Sequence, residues 1–72
     1  MSGPSTPSWQ VVSEWVTAAG TESVETVAFV AFETAQAEAR RLAHLLGEVV
    51  GGKLLKYVEL VGDFRQRWAR GG

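Results

Sequence analysis

Apolar and polar residues change their spacing several times along this 72-residue chain, and each change marks an expected element. The clearest change falls within Val24–Gly47, V-E-T-V-A-F-V-A-F-E-T-A-Q-A-E-A-R-R-L-A-H-L-L-G. Val27–Phe32 is an unbroken apolar run, and Val24, Thr26, Val27, Phe29, Val30 and Phe32 are β-branched or aromatic, which suits a pleated surface. Wound as a helix, the run would be apolar all round, so it reads as a buried strand over 24–32. Beyond it the period lengthens. Ala35, Ala39, Leu42 and Leu46 fall on one stripe of a 3.6-residue helix, with Gln36, Arg40, Arg41 and His44 on the other side. Thr34 is the expected N-cap and Gly47 the expected left-handed C-terminal cap, giving a helix over 34–46. Glu33 and Glu38 near its start and the basic residues near its end follow the order the helix dipole prefers.

Residues 9–17, W-Q-V-V-S-E-W-V-T, fit two patterns. As a strand, Trp9, Val11, Ser13, Trp15 and Thr17 share one face, and Gln10, Val12, Glu14 and Val16 the other. As a helix, Ser8 caps it, and Val12, Trp15, Val16 and Ala19 form a stripe. The abundance of Trp, Val and Thr selects the strand. A hairpin through Ala18–Ser23 then gives the strand at Val24–Phe32 a neighbour.

Residues 53–70, K-L-L-K-Y-V-E-L-V-G-D-F-R-Q-R-W-A-R, are also ambiguous. Tyr57, Val61, Phe64 and Trp68 repeat at helical spacing, with Leu54 and Val58 beside them and charged residues opposite. This predicts a second amphipathic helix, weakened at Gly62 by about 1 kcal/mol. The rival is a strand over 54–61 ending at Gly62-Asp63. The expected fold is therefore α+β, a small ββαα domain over 9–69 with an N-terminal hairpin, a central helix and a C-terminal amphipathic helix. The alternative is ββαβ with a third strand at 54–61. Residues 1–8, rich in Pro and Ser, read as a disordered leader, and 70–72 as a flexible tail.

Length and composition narrow the chemistry. A chain this short has a thin stability margin, because apolar burial roughly cancels an ordering cost of about 1.5 kcal/mol per residue. With no Cys, neither a disulfide nor a thiolate metal site adds to it. Three Trp, three Phe and one Tyr are rich core material, and self-association is the remaining usual source of stability. His44 is the single histidine and Asp63 the single aspartate. No metal site, catalytic triad or cofactor is expected, and the chain reads as a non-enzyme. G-E-V-V-G-G-K at 47–53 matches the first seven positions of a phosphate-binding loop. Leu54 stands where Ser or Thr should hold magnesium, and a helix precedes it rather than a strand, so a glycine-rich linker is the better account.

The N-terminus lacks a positively charged start and an apolar stretch, and no apolar run approaches the roughly 20 residues of a membrane span. A cytoplasmic protein is expected. The absence of Ile and Asn beside abundant Ala, Val and Gly is a bias that a GC-rich bacterial or phage genome could produce.

A net charge of −1 conceals a polarity. Residues 1–39 carry five Glu and no Lys or Arg; residues 40–72 carry seven basic residues against Glu48, Glu59 and Asp63. Internal complementarity is one reading, and a basic surface for an acidic partner the other. The leading function is a non-enzymatic protein–protein interaction or assembly module that self-associates, with Trp9, Trp15, Phe29, Tyr57, Val61, Phe64 and Trp68 as interface candidates. A nucleic-acid-associated accessory protein is the second, using Arg40, Arg41, Arg65, Arg67 and Arg70, where basic residues flank Trp68 as in single-strand binders. The terminal Gly71-Gly72 resembles the ends of ubiquitin-like and sulfur-carrier proteins, whose fold also begins β-β-α. That two-residue resemblance implies a third function, a carrier acting through Gly72. No membrane or small-molecule partner is expected.

Overall fold

The computed structural model describes residues 8–69. The leader expected over 1–8 lies outside the described residues apart from Ser8, and so does the tail expected over 70–72. The alternation in the first segment forms strand β1 (Trp9–Thr17), and a reversal returns the chain along β2 (Glu22–Phe29). Gly20 supplies the positive φ, 87°, that this three-residue hairpin loop requires, and Thr17 closes it: its N–H donates to the Thr21 carbonyl at 2.9 Å and its own carbonyl accepts from Gly20. One helix, α1 (Phe32–Ala43), follows. Beyond it come the short β3 (Val49–Val50), then β4 (Lys53–Val61) and β5 (Arg65–Ala69). The strands form one antiparallel sheet in the order β2-β1-β4, with β3 and β5 sharing the far side of β4.

Among the described residues the protein is thus mostly β with one helix, which corrects the ββαα expectation. Residues 53–69 are two strands and a turn, not an amphipathic helix. Tyr57 and Val61, four residues apart, share a face in a strand as well as in a helix, whereas Phe64 lies in the turn and Trp68 in β5; a bulge further obscures the strand. Glu14 lies opposite Tyr57 and Trp15 opposite Leu55, so Lys56 is an extra residue in β4. The buried positions of β4 become Leu55, Val58 and Leu60, so the simple alternation expected of a strand is interrupted. The rival strand over 54–61 falls inside β4, but neither expected arrangement included β3 or β5. The linker expected over 47–53 instead contains β3 and a Gly51-Gly52 two-residue turn, with φ of 59° and 81° at the two glycines, as a tight hairpin requires.

Smaller boundaries shift as well. The second strand spans Glu22–Phe29 rather than 24–32, and the helix spans Phe32–Ala43 rather than 34–46. Ala31, not Thr34, is the N-cap and makes no side-chain bond; His44, not Gly47, is the C-cap. Early entry into the helix brings Phe32 against Trp9, with ring centroids 4.9 Å apart, so packing outweighs the capping preference. Gly47 serves the sheet: its N–H donates to the Leu55 carbonyl at 2.9 Å.

The helix lies on the face of β1 that carries Trp9, Val11, Ser13 and Trp15. Ala35, Ala39 and Leu42 are its buried stripe, and the two alanines let it sit close to the sheet. Val11, Leu55, Val58 and Leu60 are sealed beneath it, each such side chain contributing roughly 1.5–3 kcal/mol of transfer energy. Ser13 is buried with them, its hydroxyl accepting a hydrogen bond from Trp15 Nε1 at 2.9 Å. At one end Trp9, Phe32 and Phe64 make a tilted aromatic trio, the remaining pairs 5.2 and 5.6 Å apart. Gly62 completes it, because a Cβ there would overlap the six-membered ring of the Trp9 indole.

Gly62→Ala should therefore destabilise the fold by about 1–3 kcal/mol through overpacking, visible as a lower melting temperature. Leu42→Ala should cost roughly 2–4 kcal/mol as a buried truncation, while exposed Arg40→Ala should stay within about 0.5 kcal/mol. Equal costs for Leu42→Ala and Arg40→Ala in denaturant titrations would contradict the helix orientation.

Candidate interaction surface

One helix cannot cover both faces of this sheet. The residues alternating with the core positions point away from α1. The register lines up the apolar Val12 and Val16 of β1, Val24 of β2, and Leu54, Tyr57 and Val61 of β4 on this bare face. Val24 is 62% exposed, and the other five are half-buried by their neighbours alone. At the turn end, Val16, Ala18, Val49 and Leu54 border an apolar notch of about 270 Å³, and Val49 is 69% exposed. A second hollow of similar volume lies by Trp15, Glu25, Val50, Gly51 and Lys53.

Part of the charge on the bare face is paired. Arg65 Nε lies 3.2 Å from Glu59 Oε2, and the Tyr57 phenol sits between the Glu59 carboxylate and the Arg67 guanidinium. Burial, followed by the adjoining Glu59, pushes the Tyr57 phenol above its ordinary value. Elsewhere the two charge-segregated halves of the chain meet. Lys56 is 3.5 Å from Glu22 and Lys53 is 4.0 Å from Glu25, both across β1, and Arg41 is 2.7 Å from Glu38 on the helix. The contact with Arg41 holds the Glu38 carboxyl below its usual value. These pairs are exposed and worth about 0–1 kcal/mol each. They show that the acidic-to-basic polarity along the chain is at least partly spent on internal pairing.

The interface candidates separate into different environments. Trp9 and Trp15 are core residues, and Phe29 and Trp68 are half-buried against the core. Tyr57 and Val61 lie on the bare face, while Phe64 is 51% exposed at the aromatic trio. Among the nucleic-acid candidates, Arg40 and Arg41 are exposed on α1, whereas Arg65 and Arg67 project from the opposite side of the sheet. The described arginines therefore form no single basic surface. Arg70 and the Gly71-Gly72 end lie outside the described residues. Val12, Val16, Val24 and Leu54 were missed as surface residues. Their alternation was legible, but which face the helix covers was not.

Among the described residues no three His, Asp or Glu side chains gather to hold a metal, and no helix is long and apolar enough to cross a membrane. No family model matches the chain, and no curated protein or solved structure shows significant similarity to it.

Tyr57 is the single tyrosine, so its ionisation is directly readable. A phenol whose folded value is raised stabilises the fold below the unfolded value near 10, and that contribution is lost as pH rises through the folded value. Absorbance at 295 nm should titrate at higher pH in the native protein than in the urea-unfolded chain. Coincident titrations would place the phenol in free solvent.

Proposed function

We propose that this chain is a non-enzymatic protein-interaction module that self-associates as part of an assembly. The observation that carries this reading is the bare sheet face, where six apolar side chains from three adjacent strands lie outside the cover of α1. Isolated exposed apolar residues are ordinary, but six on one sheet face, interleaved with Gln10, Glu14, Glu22, Thr26 and Glu59, favour a contact surface of mixed polarity. The thin core of so short a chain adds a reason for a second copy to contribute stability. The arrangement of the arginines lends the nucleic-acid alternative less support, since the pairs on α1 and β5 face opposite ways.

Light scattering at micromolar concentration should give at least twice the 7.8 kDa chain mass. The melting temperature should rise with protein concentration, because association stabilises only the folded state. A monomer whose melting is independent of concentration would reject the reading.

A further inference from the structure

The two edges of the sheet differ in their protection. On the far side of β4 the edge is divided between the two-residue β3 and the five-residue β5, and β5 presents Arg65 and Arg67. Short strands and charged residues are ordinary defences against unwanted strand pairing. The opposite edge is β2, eight residues long, paired with β1 in an unbroken register, and without Pro, Lys or Arg. Every residue from Val24 to Ala28 is exposed. Its two carboxylates offer little defence, because Glu22 and Glu25 are directed inward across β1 toward Lys56 and Lys53.

The direction of the unpaired groups follows from the hairpin. Thr17 donates to Thr21 across the loop, and bonded and non-bonded pairs alternate along an antiparallel ladder. Ser23, Glu25, Val27 and Phe29 therefore bond to β1. Glu22, Val24, Thr26 and Ala28 point their N–H and C=O groups out of the sheet. The same alternation carried through to β4 turns Leu55 away from β1, where it bonds to Gly47 and Glu48.

We propose that β2 is the strand through which two copies of this chain join, antiparallel and centred on Thr26, into one continuous sheet. A second copy of β2 is the occupant because it offers the same row of unpaired main-chain groups, and one of its symmetric registers avoids opposing like charges. Outward-facing groups must meet outward-facing groups, so even-numbered residues oppose even-numbered ones. Two symmetric registers pair the most residues within β2, one centred on Glu25 and one on Thr26. The first sets Glu25 directly against its own copy, a destabilising like-charge pair. The second sets Thr26 against Thr26, Val24 against Ala28 and Glu25 against Val27 of the second copy. It supplies about six main-chain hydrogen bonds, two from each of the three outward-facing pairs. The bare faces of the two copies then become one surface.

This proposal rests on the self-association inferred above and fails separately from it. Thr26 is exposed and next to its own copy at the twofold axis, so charge placed there is repelled by itself. Sedimentation equilibrium at tens of micromolar should give a dimer for the wild type and monomers for Thr26→Lys and Thr26→Glu alone. Circular dichroism should show that both variants keep the native spectrum. An equimolar mixture of the two should recover the dimer mass, since opposite charges then meet. Variants that remain dimeric on their own, or a mixture that stays monomeric, would overturn pairing through β2 while leaving self-association by another surface intact. A monomeric wild type would overturn both.

Discussion

The indole of Trp9 occupies the space that any side chain at position 62 would need, and the rest of the molecule is arranged to allow this contact. Trp9 begins the central strand, Gly62 opens the turn between β4 and β5, and Phe32 begins the helix. Phe64 closes the trio from the turn itself, where the Gly62 N–H donates to the Phe64 carbonyl at 3.0 Å. One aromatic side chain thus fixes the relative positions of segments more than fifty residues apart in sequence. The helix can then lie across β1 and β4 with alanine and leucine along the contact and Phe32 at its start. Loss of this packing would free the helix start and the last hairpin together.

What could be read from the chain was whatever depended on local periodicity. The first strand appears with its expected bounds and its expected faces because Trp9, Val11, Ser13 and Trp15 alternate without interruption. The stripe Ala35, Ala39 and Leu42 was equally plain. Legibility failed where a distant partner decides the conformation. Arg65–Ala69 has little intrinsic strand character, and it is extended because it pairs with β4. In β4 the extra residue Lys56 breaks the alternation that would have identified a strand. Gly62 looked like a weak point in a helix, whereas it is the residue a close aromatic contact requires.

The candidate surface was less legible than the fold, for a related reason. Aromatic residues drew attention as contact residues, yet Trp9 and Trp15 are core, because a small sheet needs large side chains to fill the space under one helix. The bare face is built from Val, Leu and a single Tyr, residues whose exposure depends on which side the helix takes. Likewise, the charge segregation along the chain invited a partner of opposite sign, but β4 carries its lysines back across β1 to the glutamates of β2. Only the strand order brings those halves together.

The position of β1 has a consequence for how the protein is made. The strand synthesised first is the one that needs partners on both sides, and its second partner, β4, is translated only after the hairpin loop, β2, the helix and β3. At ordinary elongation rates of about 5–20 residues per second, the interval from Thr17 to Lys53 lasts roughly 2–7 s. Until β4 pairs, a hairpin of β1 and β2 carries an open edge on each side. A hairpin and helix formed ahead of β4 leave the second edge of β1 unpaired, so the sheet closes only once residues 53–61 are available.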